Sequence, residues 1–561
     1  MTNARKSHST PHAAGYDRPV GDLKQSRSVV LAQNGIVATS HPLASQTGLD
    51  VLKAGGNAVD AAIAANSMLG VVEPMSCGIG GDLFAILWDN KNQQLYGLNG
   101  SGRSPEALSR DDFNRRGMDQ IPTYGPLSWS VPGCVDSWQQ LLDRFGTMTL
   151  GKLLEPAIQT AESGFPVAEV IAAAWQASET QLRQWPDSAA TYLIDGNRAP
   201  QFSEIFRNSR LAKSYRSIAD QGVDAFYQGE IARQIVAFSE DNGGFLSIND
   251  FAEHQSEWIQ PVSTTYRDHE VWELPPSGQG IAVLEMLNIL EQFDIRSMEP
   301  GSAEFLHLFI EAKKLAFANR AKFYSDPAFN DLPIQELISK EFGRRQAGRI
   351  DLRRAAQDVL AGDTDLAHGD TVYLSVVDKD RNCCSLIQSI FHGFGSQVVP
   401  GNVGFALQNR GALFALEENH FNRLEPRKLP FHTIIPAMVT KNEVPCFCFG
   451  VMGGDMQPQG HVQVLVNKID FGMNIQAAGD AARVRHAGSA EPTGVAATGG
   501  GTVFVESGVT DETLGALRSM DHHVLRARDG FGGYQGILID WHNGVLQGAT
   551  EVRKDGAAVG Y

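Results

Sequence analysis

The sequence predicts an α+β fold in which antiparallel sheets are covered by helices. Three observations support this class. Residues 150–360 carry long amphipathic patterns whose apolar positions recur three and four residues apart, as on one face of a helix. After His368 the pattern changes to short strand-like runs joined by tight turns. Helices and strands therefore follow one another in blocks with hairpin connections, an order that favours antiparallel sheets over βαβ units.

The first hundred residues predict an arm, a strand, two helices and a hairpin. Residues 1–25 are polar and lack the continuous apolar segment of a secretory signal, so we expect a loose arm on a cytoplasmic protein. The glycine pair at 55 and 56 marks a break between two helical patterns. The elements predicted here are a strand at 35–40, helices at 41–56 and 57–74, and a hairpin of strands 84–89 and 94–99.

The C-terminal third predicts a sheet followed by helices and closing strands. Alternating or continuous apolar runs of four to nine residues, bounded by turn residues, indicate the strands. The predicted strands are 371–378, 383–391, 403–409, 434–439, 445–450, 502–507, 522–528, 536–540 and 544–549. The predicted helices are 459–471, 473–485 and 511–520.

Composition excludes several classes of function. The 561 residues carry a net charge of −17, which opposes nucleic-acid phosphates, and no basic stripe interleaved with aromatic residues appears. No apolar run approaches the roughly 18 residues that a membrane helix requires. The six cysteines show no zinc-type spacing and are expected to be reduced thiols, with Cys446 and Cys448 on one face of a strand. We therefore expect neither a nucleic-acid partner nor a membrane partner.

Motifs for cofactors and metals are incomplete. The run GIGGD at 78–82 resembles a dinucleotide-binding loop, but the sixth position is Leu83 instead of glycine and a strand follows where a helix should begin. The sequence contains no GxxxxGK[ST], no GxSxG and no HExxH. We therefore expect no cofactor and no metal.

Thr371 opens a strand-like run, HGDTVYLSVVD at 368–378, in which Tyr373 and Ser375 share its face. A hydroxyl is a weak nucleophile that needs an adjacent base, and an N-terminal threonine can use its own α-amine, which titrates near neutrality. Thr371 is internal, so this role requires a cut between Asp370 and Thr371. The residues alone leave two alternatives open, an ordinary strand threonine and a self-releasing nucleophile.

Longer motifs favour the second alternative, because they resemble those of a known family. The chain resembles the γ-glutamyltranspeptidase family of N-terminal-nucleophile (Ntn) hydrolases almost from end to end. The matching segments include GIVATSHPLASQTGLDVLKAGGNAVDAAIAA, EPMSCGIGGDLF, GRSPEAL, WSVPGCVDSW, PPSGQGIAVLEMLNIL, ANRAKFYSDP, DTVYLSVVDKDRN and FGVMGGDMQPQGHVQVLVN. The resemblance implies an αββα sandwich of two stacked antiparallel sheets and no cofactor. It also implies self-cleavage into a large subunit, 26–370 after the arm, and a small subunit, 371–561, within one intertwined domain. Whether such heterodimers assemble into a homo-oligomer stays open.

The resemblance assigns the catalytic groups residue by residue. Thr371 matches the family nucleophile, and Ser389 matches a hydroxyl residue that assists its activation and processing. Gly453 and Gly454, in GVMGGD, match a glycine pair whose backbone N–H groups form an oxyanion hole. Glycine suits this role because no side chain obstructs the approach of the developing charge.

The substrate-binding positions are partly kept. Arg103 matches an arginine that binds the substrate α-carboxylate, where its planar fork forms paired hydrogen bonds. His432 and Thr433 occupy the positions of a serine pair that holds the same carboxylate. Hydrogen-bonding capacity is therefore retained with altered chemistry.

Three other positions depart from the family pattern. Where γ-glutamyl-binding members hold the substrate ammonium with polar and acidic residues, this chain has Phe391, Arg410 and Leu413. A buried ammonium without an acceptor is unfavourable, and a facing arginine repels it. The segment 414–429 is also shorter than the expected lid, which predicts a more open site.

We therefore expect a small carboxylate-bearing amide without an α-amino group as substrate. This resembles the amidohydrolase branch of the family, similar to oxamate amidohydrolase or glutaryl-type acylases. Two alternatives remain. One is a true γ-glutamyltranspeptidase or glutathione hydrolase, and the other is an unprocessed family member that binds a small carboxylate without activity.

Overall fold

The structure is a computed structural model that describes residues 19–21, 25–357, 370–495, 497 and 499–561. Most of the predicted arm, and His368 with Gly369, lie outside the described residues. Asp370 and Thr371 belong to one strand, so the chain is described in its uncut form. No helix within the described ranges is both long and apolar enough to cross a bilayer.

The strands of the described residues are numbered in chain order. They are β1 (Val30–Ala32), β2 (Ile36–Thr39), β3 (Asp82–Asp89), β4 (Gln94–Asn99), β5 (Phe165–Pro166), β6 (Ile205–Phe206), β7 (Glu257–Ile259), β8 (Val262–Tyr266), β9 (His269–Glu273), β10 (Asp370–Val377), β11 (Cys383–Phe391), β12 (Ala437–Lys441), β13 (Val444–Met452), β14 (Val484–Ala487), β15 (Thr502–Val505), β16 (Val524–Arg526), β17 (Gly533–Asp540), β18 (Val545–Thr550) and β19 (Ala557–Gly560).

The α-helices of the same residues are α1 (Pro42–Lys53), α2 (Ala58–Val72), α3 (Arg110–Arg115), α4 (Cys134–Phe145), α5 (Leu150–Ser163), α6 (Glu169–Leu182), α7 (Pro186–Tyr192), α8 (Ser209–Gln221), α9 (Asp224–Tyr227), α10 (Glu230–Asp241), α11 (Ile248–Ala252), α12 (Gly280–Leu290), α13 (Ala303–Phe323), α14 (Ile334–Leu337), α15 (Lys340–Ala347), α16 (Met456–Ile469), α17 (Ile475–Asp480) and α18 (Asp511–Ser519). Short 3₁₀ turns occur at Pro126–Ser128, Ile295–Ser297 and Arg410–Leu413.

Two antiparallel sheets form the centre of the described molecule. One has the strand order β19-β2-β10-β11-β3-β4-β7, and the other has the order β1-β18-β17-β13-β12-β9-β8. Smaller sheets, β14-β15-β16 and β5-β6, lie apart from them. The predicted architecture of stacked antiparallel sheets is confirmed.

Side-chain alternation along β10 connects the layers. Val372, Leu374 and Val376 join a cluster that contains the buried residues of α1, α2, α4 and α5. Tyr373 and Val377 point the other way, into a cluster shared with β12, β13 and β17 of the second sheet. The far face of the second sheet packs on α12, α13 and α16. The layers are therefore helix, sheet, sheet and helix, with β10 central in its sheet.

Several local predictions are wrong. Residues 403–409 are irregular because Gly404 takes a φ of +82° and approaches the backbone of α8, so no strand forms there. The helix predicted over 473–485 ends at Asp480, and β14 begins at Val484. An irregularity between Val439 and Thr440 of β12 shifts the register opposite Cys446, which packs on the outer helices while Cys448 lies between the sheets. The two thiols do not share a face.

Candidate active site

Thr371 lies at the start of β10, opposite a bulge in the neighbouring strand. Asp370 pairs with Phe391 and Val372 pairs with Gln388, so two residues of β11, Ser389 and Ile390, face Thr371 alone. Bulges of this kind re-aim side chains and are frequent beside active sites. Thr371 is 1% exposed in the uncut chain.

The bulge brings two hydroxyls together. Thr371 Oγ1 lies 3.3 Å from Ser389 Oγ, which also accepts a hydrogen bond of 2.8 Å from the backbone N–H of Phe391. Phe391 has a φ of +79°, an unfavourable value for a non-glycine residue. The strained residue thus places its N–H against the serine that faces the predicted nucleophile.

The predicted oxyanion-hole glycines follow the last residue of β13. Ser375 Oγ donates to the carbonyl of Cys448 at 3.1 Å, and the ring of Tyr373 packs over Gly450. The two strands thus run in opposite directions across the gap between the sheets, since Ser375 faces Cys448 and Tyr373 faces Gly450. This correspondence, extended by two residues, predicts that Thr371 lies level with Met452, the residue before Gly453.

Gly453 and Gly454 form a turn that leads into α16. Their φ values of +116° and +56° lie in the region that favours glycine. Their carbonyls accept hydrogen bonds from Met456 and Gln457 at the start of the helix. The positive end of the α16 dipole adds to the field that favours an anion here.

Gln279 holds this turn from the other side. Its Nε2 donates to the carbonyl of Gly454 at 3.0 Å and to the carbonyl of Thr433 at 2.6 Å. Its Oε1 accepts from Arg320 Nη1 at 2.7 Å, and Arg320 also pairs with Asp455 at 2.5 Å. One amide thus ties the glycine turn to the predicted substrate-binding residue Thr433.

Arg410 is fully buried beneath this site. Its Nε donates to Asp82 Oδ2 at 2.7 Å, and its Nη1 donates to Thr433 Oγ1 at 2.8 Å. Its guanidinium carbon lies 4.7 Å from the centre of the Phe391 ring. Burial raises the pKa of Asp82 although the neighbouring Arg410 lowers it.

His432 adjoins the same pair. Its Nε2 lies 2.5 Å from Ser101 Oγ and its Nδ1 lies 3.4 Å from Asp82 Oδ2. Burial, with the nearby Arg410, holds the pKa of His432 well below its usual value, so the ring is neutral. Together with Thr433 it forms a buried polar group beside Arg410.

Phe391 and Leu413 contribute apolar surface. Both are buried in the cluster that lies on the outer face of the second sheet, and Leu413 ends the 3₁₀ turn that begins at Arg410. Neither side chain carries a group that could accept a hydrogen bond from an ammonium. Both positions are therefore apolar and buried, and their place in a substrate pocket stays a prediction.

Arg103, the predicted substrate clamp, lies in a partly solvated place. Its side chain is 35% exposed, and its Nη2 and Nη1 pair with Glu257 at 2.5 Å and Asp326 at 3.1 Å. Nη1 also donates to the carbonyl of Arg427 at 3.0 Å. Two carboxylates already balance its charge in the uncut chain.

One group of the described residues has the composition of a metal site. His307, Glu311 and His522 bring ligand atoms within 4.8 Å of one another. The two imidazoles contact each other at 2.8 Å, and Glu311 pairs with Lys314 at 2.7 Å. An adjacent ammonium disfavours a bound cation. The contact between the imidazoles links α13 to residue 522.

Comparison with known proteins identifies the family. A model of the gamma-glutamyltranspeptidase family matches residues 44–561. The chain belongs to this family. The match covers almost all of the described layers, so the predicted family and its Ntn-hydrolase fold are confirmed.

Members of the gamma-glutamyltranspeptidase family with different names resemble this chain. The glutathione hydrolase-like YwrD proenzyme of Bacillus subtilis is 38% identical over 95% of this chain and 99% of the relative. The oxamate amidohydrolase proenzyme of Klebsiella pneumoniae is 32% identical over 95% of this chain and 99% of that relative. The crystal structure of cephalosporin acylase from Bacillus halodurans matches with a TM-score of 0.88 and 41% identity, covering 97% of this chain and 99% of that one.

Sequence reasoning about this family member missed three contacts of the site. Asp82 lies in the run GIGGD, which resembles a nucleotide loop and is part of the family motif EPMSCGIGGDLF, and Gln279 and Arg320 lie in family motifs that assign them no role. A polar residue inside an otherwise apolar or glycine-rich motif is the sequence feature that could have indicated these three residues. Their partners, however, are distant in the chain and become visible only in the fold.

Proposed function

We propose that this family member is a self-processing amide hydrolase with Thr371 as its nucleophile. The observation that carries the proposal is the 3.3 Å contact between Thr371 Oγ1 and Ser389 Oγ, opposite a bulge at the predicted cleavage point. In the first step the hydroxyl attacks the carbonyl carbon of Asp370, and the peptide nitrogen leaves as the α-amine of Thr371. Water then hydrolyses the resulting ester, which frees residue 371 as a new N-terminus.

The freed amine then serves as the base for substrate turnover. It takes the hydroxyl proton as Thr371 Oγ1 attacks the amide carbonyl, and the N–H groups of Gly453 and Gly454 stabilise the oxyanion. The leaving amine or ammonia departs with a proton, and water releases the acyl group. An amine acceptor in place of water would give acyl transfer from the same intermediate.

We propose a small amide that carries a carboxylate and lacks an α-amino group as the substrate. The polar side of the site, with Arg103, His432, Thr433 and Arg410, suits an anion. Phe391 and Leu413 present apolar surface where an ammonium would need acceptors, and burying an ammonium without them is unfavourable. The resemblance to oxamate amidohydrolase and cephalosporin acylase is consistent with such acyl groups.

Denaturing electrophoresis of wild type, Thr371→Ala and Thr371→Ser tests the nucleophile. We expect two bands for wild type and for Thr371→Ser, and a single 60.9 kDa chain without activity for Thr371→Ala. N-terminal sequencing of the smaller band should begin Thr-Val-Tyr-Leu. Cleavage of Thr371→Ala at the same bond, or a single band from active wild type, would contradict the proposal.

A second candidate function is glutathione hydrolysis. The 38% identity to a glutathione hydrolase-like proenzyme favours it. Release of ammonia from oxamate and of p-nitroaniline from γ-glutamyl-p-nitroanilide separates the two functions. Turnover of the γ-glutamyl substrate alone would support the second candidate and reject the first.

A further inference from the structure

The Gln279 amide is fully buried and held in one orientation. Its Nε2 donates to the carbonyls of Thr433 and Gly454 at 2.6 and 3.0 Å, and its Oε1 accepts from Arg320 Nη1 at 2.7 Å. A flipped amide would set its oxygen against two carbonyls and its NH₂ group against a guanidinium. The three contacts therefore leave this side chain a single arrangement.

The glycine turn that Gln279 contacts has much conformational freedom of its own. Gly453 and Gly454 both take positive φ values, and glycine adopts negative values about as readily. The N–H groups of Met456 and Gln457 bond to the two glycine carbonyls, but they belong to the same turn and move with it. Gln279 precedes α12 and thus ties the turn to another element of the fold.

Arg320 closes a ring of contacts around the same backbone. It lies in the last turn of α13 and is fully buried. Its Nη1 and Nη2 donate to Asp455 Oδ1 at 2.5 Å and Oδ2 at 3.4 Å, in addition to the bond with Gln279. Gln279 holds the carbonyl of Gly454, Arg320 holds the side chain of the next residue, and the two holders bond to each other. Because a peptide unit is planar, the unit that joins Gly454 to Asp455 is fixed from both ends.

The charges in this ring compensate one another. Burial would raise the pKa of Asp455, but the adjacent Arg320 lowers it below its usual value. Arg320 Nη2 also donates to Glu491, whose pKa burial raises well above its usual value although Arg320 opposes the shift. Glu491 therefore keeps a proton, and one guanidinium charge meets one carboxylate charge. The arrangement avoids the cost of an unpaired buried charge.

A buried amide can also serve packing alone, and Gln463 of α16 is an example. Its Nε2 donates to the carbonyls of Gln459 and Val484 at 3.0 and 2.9 Å, and its Oε1 accepts from the N–H of Val484 at 2.9 Å. Gln463 thus makes as many hydrogen bonds as Gln279 and is also buried. It joins α16 to β14, however, and none of these bonds involves the glycine turn.

We propose that Gln279 and Arg320 are positioning residues that hold the Gly453–Gly454 turn in the conformation that receives the oxyanion. This inference rests on the proposed function of the site. Both side chains act through the peptide unit between Gly454 and Asp455 and not by contact with the substrate. Their loss should weaken stabilisation of the tetrahedral oxyanion and leave the binding of a planar acyl group in place.

The matched pair Gln279→Leu and Gln463→Leu tests this role. The substrate is whichever of glutaryl-p-nitroanilide and γ-glutamyl-p-nitroanilide wild type hydrolyses. We expect Gln279→Leu to lower kcat by about 10- to 100-fold, somewhat less than the loss of an oxyanion-hole donor itself, and to slow self-cleavage as well. Its KM, and both constants of Gln463→Leu, should change by less than about threefold. Urea unfolding in the uncut Thr371→Ala background should show that the two leucine variants lose stability to a similar extent.

A tetrahedral inhibitor gives a readout that packing alone would not change. In the boronic acid analogue of the substrate, B(OH)₂ replaces the reacting carbonyl group. Its boron bonds to Thr371 Oγ1, the hydroxyl proton passes to the α-amine, and a tetrahedral anion results. Gln279→Leu should weaken this inhibitor by about 10- to 100-fold, as it weakens the transition state. Inhibition by the free carboxylic acid, which stays planar, should change by less than about threefold.

Arg320→Lys is the second variant. It keeps a positive charge beside Asp455 and Glu491 but lacks the planar fork that serves Gln279 and Asp455 together. It should show the same loss in kcat and the same selective loss of the boronic acid. If Gln279→Leu does not fold, Arg320→Lys alone decides, and an unchanged kcat would overturn the inference.

The outcomes separate this inference from the proposed function. Wild type that neither cleaves itself nor hydrolyses either anilide would reject the proposed function. Active wild type with equal losses of kcat in Gln279→Leu and Gln463→Leu would reject the positioning role alone. So would a Gln279→Leu enzyme that binds the boronic acid and the free acid with equally reduced affinity.

Discussion

At the scale of residues, the site depends on the contact between two short side chains, Thr371 on β10 and Ser389 on β11. A threonine and a serine on neighbouring strands reach each other only if the backbones bring them into register. The two-to-one bulge opposite Thr371 and the +79° φ of Phe391 supply this placement. Surrounding contacts hold this strained conformation, a feature that is common at functional sites.

Ser389 provides the first prediction. Ser389→Ala should slow self-cleavage and lower kcat by about tenfold each, the equivalent of one hydrogen bond, because Thr371 Oγ1 loses its hydroxyl partner. Ser389→Thr keeps the hydroxyl and should restore most of both rates. The measurement is the time course of band conversion in freshly expressed protein, followed by steady-state kinetics.

Ser385→Ala is the matched control for removing a hydroxyl from β11. Ser385 Oγ contacts Tyr373 OH and the N–H of Ala437, so its loss should lower stability without changing the cleavage rate. Equal slowing in both alanine variants would mean that Ser389 acts only through packing of the strand.

Part of the site could be predicted from the sequence at this scale. Thr371, Ser389 and the glycine pair lie in motifs, and a motif fixes local geometry. The contact of Arg410 with Asp82 could not be predicted, because residues 328 positions apart meet only after the sheets have formed. The carboxylates that Arg103 meets, Glu257 and Asp326, also lie far from it in the chain, and its role as a clamp stays a prediction.

At the scale of elements, one close contact between the two sheets depends on a glycine. A Cβ added to Gly450 of β13 would lie 2.5 Å from the ring of Tyr373 on β10. Gly450→Ala should therefore lower the free energy of unfolding by about 1–3 kcal/mol, the usual cost of overpacking. It should also slow cleavage by shifting β10 against the glycine turn.

Gly515→Ala is the control for this variant. Gly515 lies inside α18, and an added Cβ meets nothing within 4 Å. Alanine is the better helix former, so this change should leave stability equal or slightly higher. Chemical denaturation of both variants in the uncut Thr371→Ala chain gives the comparison, and equal stability of the two would reject tight packing at Gly450.

The packing of α12 on α13 predicts a dependence of stability on pH. Burial raises the pKa of Glu285 from 4.5 to about 8, although Asn319 and Tyr324 donate hydrogen bonds to it. The folded chain keeps a proton that the unfolded chain releases, so stability falls as pH rises from about 4.5 to 8. Each pKa unit corresponds to about 1.4 kcal/mol, so the loss amounts to a few kcal/mol.

Glu285→Gln removes this titration. In the uncut background, the variant should match the starting protein near pH 5 and exceed its unfolding free energy increasingly toward pH 8. Glu299→Gln, at an exposed position, should show no such trend. A constant difference between Glu285→Gln and its parent across this range would mean that Glu285 is ionised in the folded chain.

At the scale of the whole molecule, the layered fold follows from patterns that the sequence displays clearly. Hairpins with short turns and amphipathic helices define the sheets and their cover. The errors occur where tertiary contacts override local pattern. The apolar run at 403–409 is held irregular by the approach of Gly404 to α8, and β19 depends on pairing with β2 at the other end of the chain.

The strand order has a direct consequence for a cut chain. A break before Thr371 would leave β1–β9 in one piece and nearly all of β10–β19 in the other. Both large sheets mix strands from the two pieces. The pairs that join them are β2 with β10, β2 with β19, β3 with β11, β9 with β12 and β1 with β18.

The last prediction concerns the association of these pieces. Because each sheet would lose its order if one piece left, the subunits should separate only on global unfolding. Cleaved enzyme should show two bands on a denaturing gel and a single peak on native size-exclusion chromatography, at the elution volume of uncut Thr371→Ala. Raising urea should release the small subunit only at the concentration where tryptophan fluorescence reports unfolding. A free small subunit appearing on dilution without denaturant would contradict this interlocked arrangement.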